Sequence, residues 1–337
     1  FVVEAAAGTG KTTALVARIA GLVCDAGVDI AHVVAASFTE RASGEIVLRL
    51  RAELERRRAG SSPAERRRAE AAIQHLEEAR IGTLHGVATA LLRERPIEAG
   101  LEPDFVVLGE PEARALRARA LREWLGVALR RGAPGVARFL RRPAKWGDDD
   151  PVTRLEGVFE RVAEHRDLRT PWTRALGRDR ERDIDVLVGE VGALGALAAA
   201  PGAGDDALPR LFRTFEHWHA QLALREAHAP RDHDALEVEL PRLLGNAKDY
   251  GWKAKGRGKS YADGVPLAGV LARRDALRAH LSALESDASA DLASLVREEL
   301  AEPLATYDAL KTSAGALDFL DIGMRLLALL ETSADAR

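Results

Sequence analysis

The sequence predicts an α/β fold: a parallel sheet in roughly the first hundred residues, joined to a large all-helical stretch. Three observations support this. Short apolar runs alternate with helical periodicity up to about residue 110. A glycine-rich loop joins the first apolar run to the first helix. From Glu110 onward nearly everything has helical spacing, broken by loops such as "WGDDDP" and "APGAGDD". The 337 residues suffice for two domains and a substantial core. With 47% apolar and 30% charged residues the composition is that of a soluble globular protein. A net charge of −3 gives no global drive toward nucleic acid, so such contacts would rest on local patches.

The elements follow in order. Phe1-Val2-Val3 reads as the middle of a strand, and the only methionine is Met324. The chain therefore reads as cut from something longer. "EAAAGTGKTTALVARIAG" (4–21) is a loop feeding a helix that reaches about Cys24. Residues 33–37 form a buried-strand candidate. Residues 41–58 read as a helix with Ile46, Leu50 and Leu54 on one face. Ser62-Pro63-Ala64-Glu65 is a capping box with proline at the first helical position, opening a helix to about Ala79. Residues 80–83 are a third strand. Residues 85–95 are helical until Pro96 stops them, and 105–108 are a fourth apolar run. Strands joined by helical crossovers imply a parallel sheet. No fixed-period repeat is present. The single thiol, Cys24, points to a reducing, cytoplasmic setting. No apolar run reaches the roughly 18 residues of a membrane span.

The loop at 5–12 has the phosphate-loop spacing G-x-x-x-x-G-K-[ST], with Ala5 in the first glycine position. Gly8 and Gly10 permit a turn that converges backbone N–H groups on phosphates. Ala6, Ala7, Thr9 and Thr13 complete the cradle around them. Lys11 places a compact charge on the β- and γ-phosphates, and Thr12 binds Mg²⁺ through its hydroxyl. The helix behind aims its positive end at the anion. Lys11 and Thr12 are thus the catalytic candidates, with ATP and Mg²⁺ as cofactors. Lysine here carries weight because the chain has 42 arginines and only 7 lysines, and the planar fork of arginine does not replace a point charge.

A second glycine-lysine run, "GRGKS" (256–260), follows no apolar strand and is rejected as a nucleotide site. An NTPase also needs a Walker B acid pair, and the chain contains no Asp-Glu dipeptide. "DIDVLVGEVGALG" (183–195) reads as helix packing. His217, His219, His228 and His233 do not share the spacing of a metal site.

Ser37-Phe38-Thr39 and Thr83/His85 fall where strands end and helices open, and the carboxyl ends of parallel strands are where ligands bind. Phe38 is suited to stack on a base, and the threonines and His85 to hold a backbone phosphate. The alternative is ordinary packing for Phe38 and helix capping for Thr39 and Thr83. The stretch 248–264, "KDYGWKAKGRGKSYADG", reads as a loop. It offers Lys253, Lys255, Arg257 and Lys259 to phosphates, with Tyr250, Trp252 and Tyr261 interleaved to stack bases or sugars. Its alternative is a solvated surface loop.

In combination, the phosphate loop, "FTERASGEIVLRLR" and "GTLHGVATALLRERPIEAGLEPDFVVL" resemble the UvrD/RecB-like superfamily 1 helicases, on the AddA and exonuclease V beta-subunit side. The likeness covers motifs I, Ia and Ib in about the first 110 residues. "GALDFLDIGMRLLALL" (315–330) resembles the segment before the family's Walker B motif. Departures are Ser37 for a common Thr, Gly86 for a common Ser, and Leu320 beside Asp321 for a frequent Asp. The resemblance implies a P-loop NTPase (RecA-like) motor subdomain at 1–110, a helical insertion at 111–310, and a return segment at 311–337. It implies 3′-to-5′ ATP-dependent movement on DNA in repair, a second motor domain, and a nuclease or helicase partner subunit. It assigns single-strand contact to Phe38, Thr39, Thr83 and His85. Without Walker B residues the fragment itself is expected to be inactive. Rival readings are another P-loop enzyme such as a small-molecule kinase, and a non-catalytic DNA-binding adaptor.

Overall fold

The structure, a computed structural model, describes residues 10–60, 62–143, 150–168, 179–200, 207–245 and 250–333. The elements in chain order are α1 (Lys11–Cys24), β1 (Val34–Ser37), α2 (Glu40–Gly60), α3 (Pro63–Gln74), β2 (Arg80–Thr83), α4 (Leu84–Glu94), β3 (Val106–Val107), α5 (Glu110–Arg130), α6 (Pro134–Arg141) and α7 (Pro151–Glu164). There follow α8 (Arg180–Gly195), α9 (Ala207–Glu226), α10 (His233–Arg242), β4 (Ser260–Ala262), β5 (Val265–Pro266), α11 (Leu267–Glu299), α12 (Ala301–Ser313), β6 (Ala316–Leu317) and α13 (Phe319–Thr332). The chain divides into two compact units, Phe1–Ala113 with Ala309–Arg337, and Arg114–Asp308. Among the described residues no helix is long and apolar enough to cross a membrane.

In the first unit, Val16, Ile19, Ala20, Val23 and Cys24 recur at helical spacing, so α1 buries one stripe. That stripe shares a core with Ile46, Leu50 and Leu54 of α2, Ala69 and Ala72 of α3, and Leu76. Strands β1 and β2 pair in parallel, with Val34 opposite Arg80 and Ser37 opposite Thr83. Strands β3 and β6 form a second parallel pair, Val106 opposite Ala316 and Val107 opposite Leu317. Helices α4 and α13 meet through Leu92, Ile322 and Leu329, with Phe105 and Leu317 beneath them.

The expected parallel strands are thus present, but the described residues form two separate parallel pairs rather than one sheet. The expected strand at 1–3 lies outside them. Helix α3 stops at Gln74, short of the expected 79, because a 3₁₀ turn at Leu76–Glu78 buries Leu76 and re-aims the chain into β2. The capping box at Ser62 forms as read: Glu65 N–H donates to Ser62 Oγ at 3.4 Å and Ser62 N–H to Glu65 Oε2 at 3.1 Å.

The second unit is helical around two cores. One joins Ile184, Val191, Phe212, Phe215, Leu240 and Leu281, the other Trp124, Phe159, Leu292 and Leu300. It is not all-helical. Within the stretch expected to be loop, β4 and β5 form an antiparallel hairpin. Asp263 and Gly264 make its two-residue turn, and Gly264, at the second turn position, takes a left-handed φ of +75° that glycine adopts without strain.

Candidate functional site

Helix α1 starts at Gly10, whose φ of 86° and ψ of 19° put it in the left-handed region open to glycine. Among the described residues no atom lies within 4 Å of the position a Cβ would take, and the positive φ by itself favours glycine. Among the described residues no side chain caps the helix, and no acid occupies its first turn. The first backbone N–H groups of a helix have no intrahelical partner, and with the helix dipole they favour an anion. Lys11 is exposed there and Thr12 half-buried. Amides, an ammonium and a hydroxyl form a donor set that fits a nucleotide phosphate and its Mg²⁺. Arg49 of α2 donates to Thr13 Oγ1 at 3.4 Å, which ties this helix to the next. Ala5, Ala6, Ala7, Gly8 and Thr9 lie outside the described residues.

The parallel register brings the ends of β1 and β2 level, Ser37 beside Thr83; β2 runs directly into α4, and β1 reaches α2 through Phe38 and Thr39. Phe38 is 95% exposed, so it does not serve the core. Thr39 Oγ1 accepts the Ala42 N–H at 3.2 Å, and the Thr39 carbonyl accepts the Ser37 hydroxyl at 2.9 Å. Ser37 and Ser43 share a hydroxyl–hydroxyl bond of 2.7 Å. Thr83 caps α4 by accepting the Gly86 N–H at 3.1 Å, and donates its own proton to Glu40 Oε1 at 3.2 Å. A Cβ at residue 86 would lie 2.9 Å from Thr83 Oγ1, so glycine permits this close approach. Both threonines therefore act as caps.

His85 is exposed, and its ring stands edge-on to Phe319, with centroids 5.0 Å apart and planes at 67°. Phe319 and Glu40 escaped the sequence reading. Phe319 falls in phase with Ile322, Leu326 and Leu329, so periodicity assigns it to the core, yet it remains 46% exposed. Glu40 reads as an ordinary acid complementing a helix N-terminus.

The second unit holds the basic segment, which leads into the β4–β5 hairpin. Lys253, Lys255, Arg257 and Lys259 are all exposed. The stacking role is corrected for Trp252 and Tyr261, which are core residues. Trp252 Nε1 donates to the Leu243 carbonyl at 3.1 Å and Tyr261 Oη to that of Leu197 at 3.1 Å. Each buries a ring while its polar tip is satisfied. Arg274 donates to the carbonyls of Gly251 and Ala254, which pins the base of the loop. At Gly256 (φ +66°) a Cβ would lie 2.7 Å from Leu267 Cδ1. Lys259-Ser260 runs into a strand, whereas a phosphate loop opens a helix. The run at 183–195 belongs to α8, where Ile184, Leu187, Val188, Val191 and Leu194 are buried. His233 bonds Asp185 at 3.0 Å. At the end of α1, burial pushes the Cys24 thiol above its usual pKa.

The loop sequence, the uncapped helix that follows it and the parallel strands define a class, the phosphate-loop α/β domains. The particular family comes from comparison with known proteins. Residues 1–155 match the UvrD/REP helicase N-terminal domain. Similar curated proteins include an ATP-dependent helicase/nuclease subunit of Syntrophomonas wolfei, 30% identical over 159 residues, which is 46% of this chain and 12% of that protein. The same-named helicase/nuclease protein of Desulforamulus reducens is 31% identical over 184 residues, 53% of this chain and 14% of that protein. The exonuclease/helicase subunit RexA of Lactococcus lactis is 32% identical over 111 residues, 33% of this chain and 9% of that protein. The matches thus cover a small fraction of the length of these relatives. They bear out the resemblance to UvrD-like helicases on the AddA side.

Proposed function

We propose that this chain is the part of an ATP-dependent DNA helicase or translocase that carries the nucleotide loop and the first single-strand contacts, acting in DNA repair. The observation that carries this is the strand edge. Phe38, Thr39, Thr83 and His85 gather where two parallel strands end, with an aromatic ring 95% exposed. An apolar ring held in water beside two helix N-termini suits a stacked base and its phosphate. Phe319 extends the surface beside His85.

In this reading residues 1–110 and 311–337 form the first motor subdomain and 111–310 a helical insertion. Ala5 to Thr13 hold ATP, with Lys11 on the phosphates and Thr12 on Mg²⁺. The bound nucleotide supplies the phosphoryl chemistry that drives movement. Lys253, Lys255, Arg257 and Lys259 neutralise duplex or single-strand phosphates. A second motor domain, Walker B acids and a nuclease or helicase partner subunit complete a cytoplasmic machine moving 3′ to 5′. This fragment binds nucleotide weakly and does not turn it over.

Titration of a fluorescent oligothymidine at several salt concentrations tests the reading. Single-strand binding should weaken as salt rises, and Phe38→Ala should weaken it by roughly fivefold or more, the worth of one stacked base. A chain that ignores the oligonucleotide is a different P-loop enzyme. A chain whose DNA binding is indifferent to both Phe38→Ala and nucleotide is an adaptor.

A further inference from the structure

Lys311 is one of 7 lysines in this arginine-rich chain, and it is only 3% exposed. Its ammonium lies 2.5 Å from Asp321 Oδ2 and 3.4 Å from Asp318 Oδ2. Those acids form the reciprocal capping box of α13. Asp321 N–H donates to Asp318 Oδ1 at 2.9 Å, and Asp318 N–H donates to Asp321 Oδ2 at 3.1 Å. The cap is complete without the lysine. What the lysine adds is a tether from the end of α12, across β6, to the first turn of α13. Within that turn, immediately after Asp318, sits Phe319, whose ring meets His85. Any slip of the turn moves Phe319 first. Arginine would bring a larger, planar head into a site built around one compact charge.

We infer that Lys311 is a positioning residue: by clamping Asp318 and Asp321 it holds Phe319 edge-on to His85 and keeps that pair set as a platform for an unpaired base. The inference rests on the reading of the strand edge as a nucleic-acid contact. A purely structural staple would alter stability and leave the platform unchanged.

The test uses Lys311→Met, which keeps length and removes charge, with two readouts. The first is the NMR resonance of the His85 ring protons, assigned by their loss in His85→Gln. The nearby Phe319 ring shifts them. That shift should collapse in both Lys311→Met and Phe319→Ala. The second is binding of an oligonucleotide carrying 2-aminopurine. Lys311→Met and Phe319→Ala should each weaken it roughly fivefold or more. The double variant should be no weaker than Phe319→Ala alone, because both act through one ring. Wild-type His85 resonances in Lys311→Met, or losses that multiply in the double variant, overturn the inference. Should Lys311→Met not fold, Asp321→Asn keeps an oxygen for the Asp318 N–H and removes the charge facing the lysine. Unchanged His85 resonances there overturn the inference equally. If the wild-type chain binds no oligonucleotide, the nucleic-acid reading fails, and the His85 resonance alone decides the positioning claim.

Discussion

Glu237 of α10 is a buried carboxylate of the second unit that meets three arginines. Its side chain is 2% exposed and receives Arg138, Arg142 and Arg180, each at 2.8 Å. Burial by itself pushes its pKa up. Hydrogen bonds from Arg180 and Arg142 and the charge of Arg138 outweigh burial and hold it below the usual carboxylate range. In Glu237→Gln, Arg138 retains Asp291 at 2.9 Å and Arg180 retains Asp234 at 2.6 Å. Arg142 retains only a 3.3 Å bond to the Ala288 carbonyl. Breaking a buried pair costs about 3–5 kcal/mol, and the surviving partners place this variant near the lower end, about 3 kcal/mol. All five tryptophans lie within 114–308, so tryptophan fluorescence in urea follows this unit. At an m value of about 2 kcal/mol/M the midpoint should fall by about 1.5 M. A group whose folded pKa is depressed contributes stability above its unfolded pKa and loses it as pH falls through the folded value. Wild-type stability should therefore drop below about pH 4.5, and Glu237→Gln should flatten that drop. A midpoint shift under about 0.3 M, with an unchanged acid limb, would refute the reasoning.

Three further outcomes are expected. Lys11→Ala should abolish what binding of a fluorescent ATP analogue the chain shows, without altering its urea transition; retained affinity would remove Lys11 from the nucleotide site. Replacing Lys253, Lys255, Arg257 and Lys259 together by alanine should lower the slope of log affinity against log salt by up to about 3 for single strands, with the fold intact. An unchanged slope would make this basic segment a bystander. Trp252→Ala, by contrast, should destabilise the second unit by about 3–5 kcal/mol, because it empties a core site 3% exposed, and it should leave the salt slope alone in the folded protein.

Local chemistry made much of the first unit legible. The capping box at Ser62 and Glu65 names both partners within four residues, and the β1 and β2 apolar runs end where helix-opening residues begin. The hairpin at 260–266 carried its own signal in Asp263-Gly264, but the surrounding lysines and glycines made it read as loop. Trp252 and Tyr261 were misassigned because a polar neighbourhood in sequence says nothing of a core assembled from α8, α9 and α11. The same limit hid Lys311 and Glu237. Charge counts do not reveal that an ammonium meets Asp318 and Asp321, or that Arg138 lies 99 positions from its carboxylate. Phe319 shows the converse case, an apolar residue in phase with the core that the first turn leaves half in water.

Photo-cross-linking of the chain to an oligonucleotide carrying 5-iodouracil, followed by peptide mapping, tests the central claim most directly. A strand lying across the ends of β1 and β2 should cross-link at Phe38, His85 or Phe319, with yield lost in Phe38→Ala and at high salt. Cross-links confined to the basic segment at 253–259, or scattered without preference for the strand edge, would contradict it.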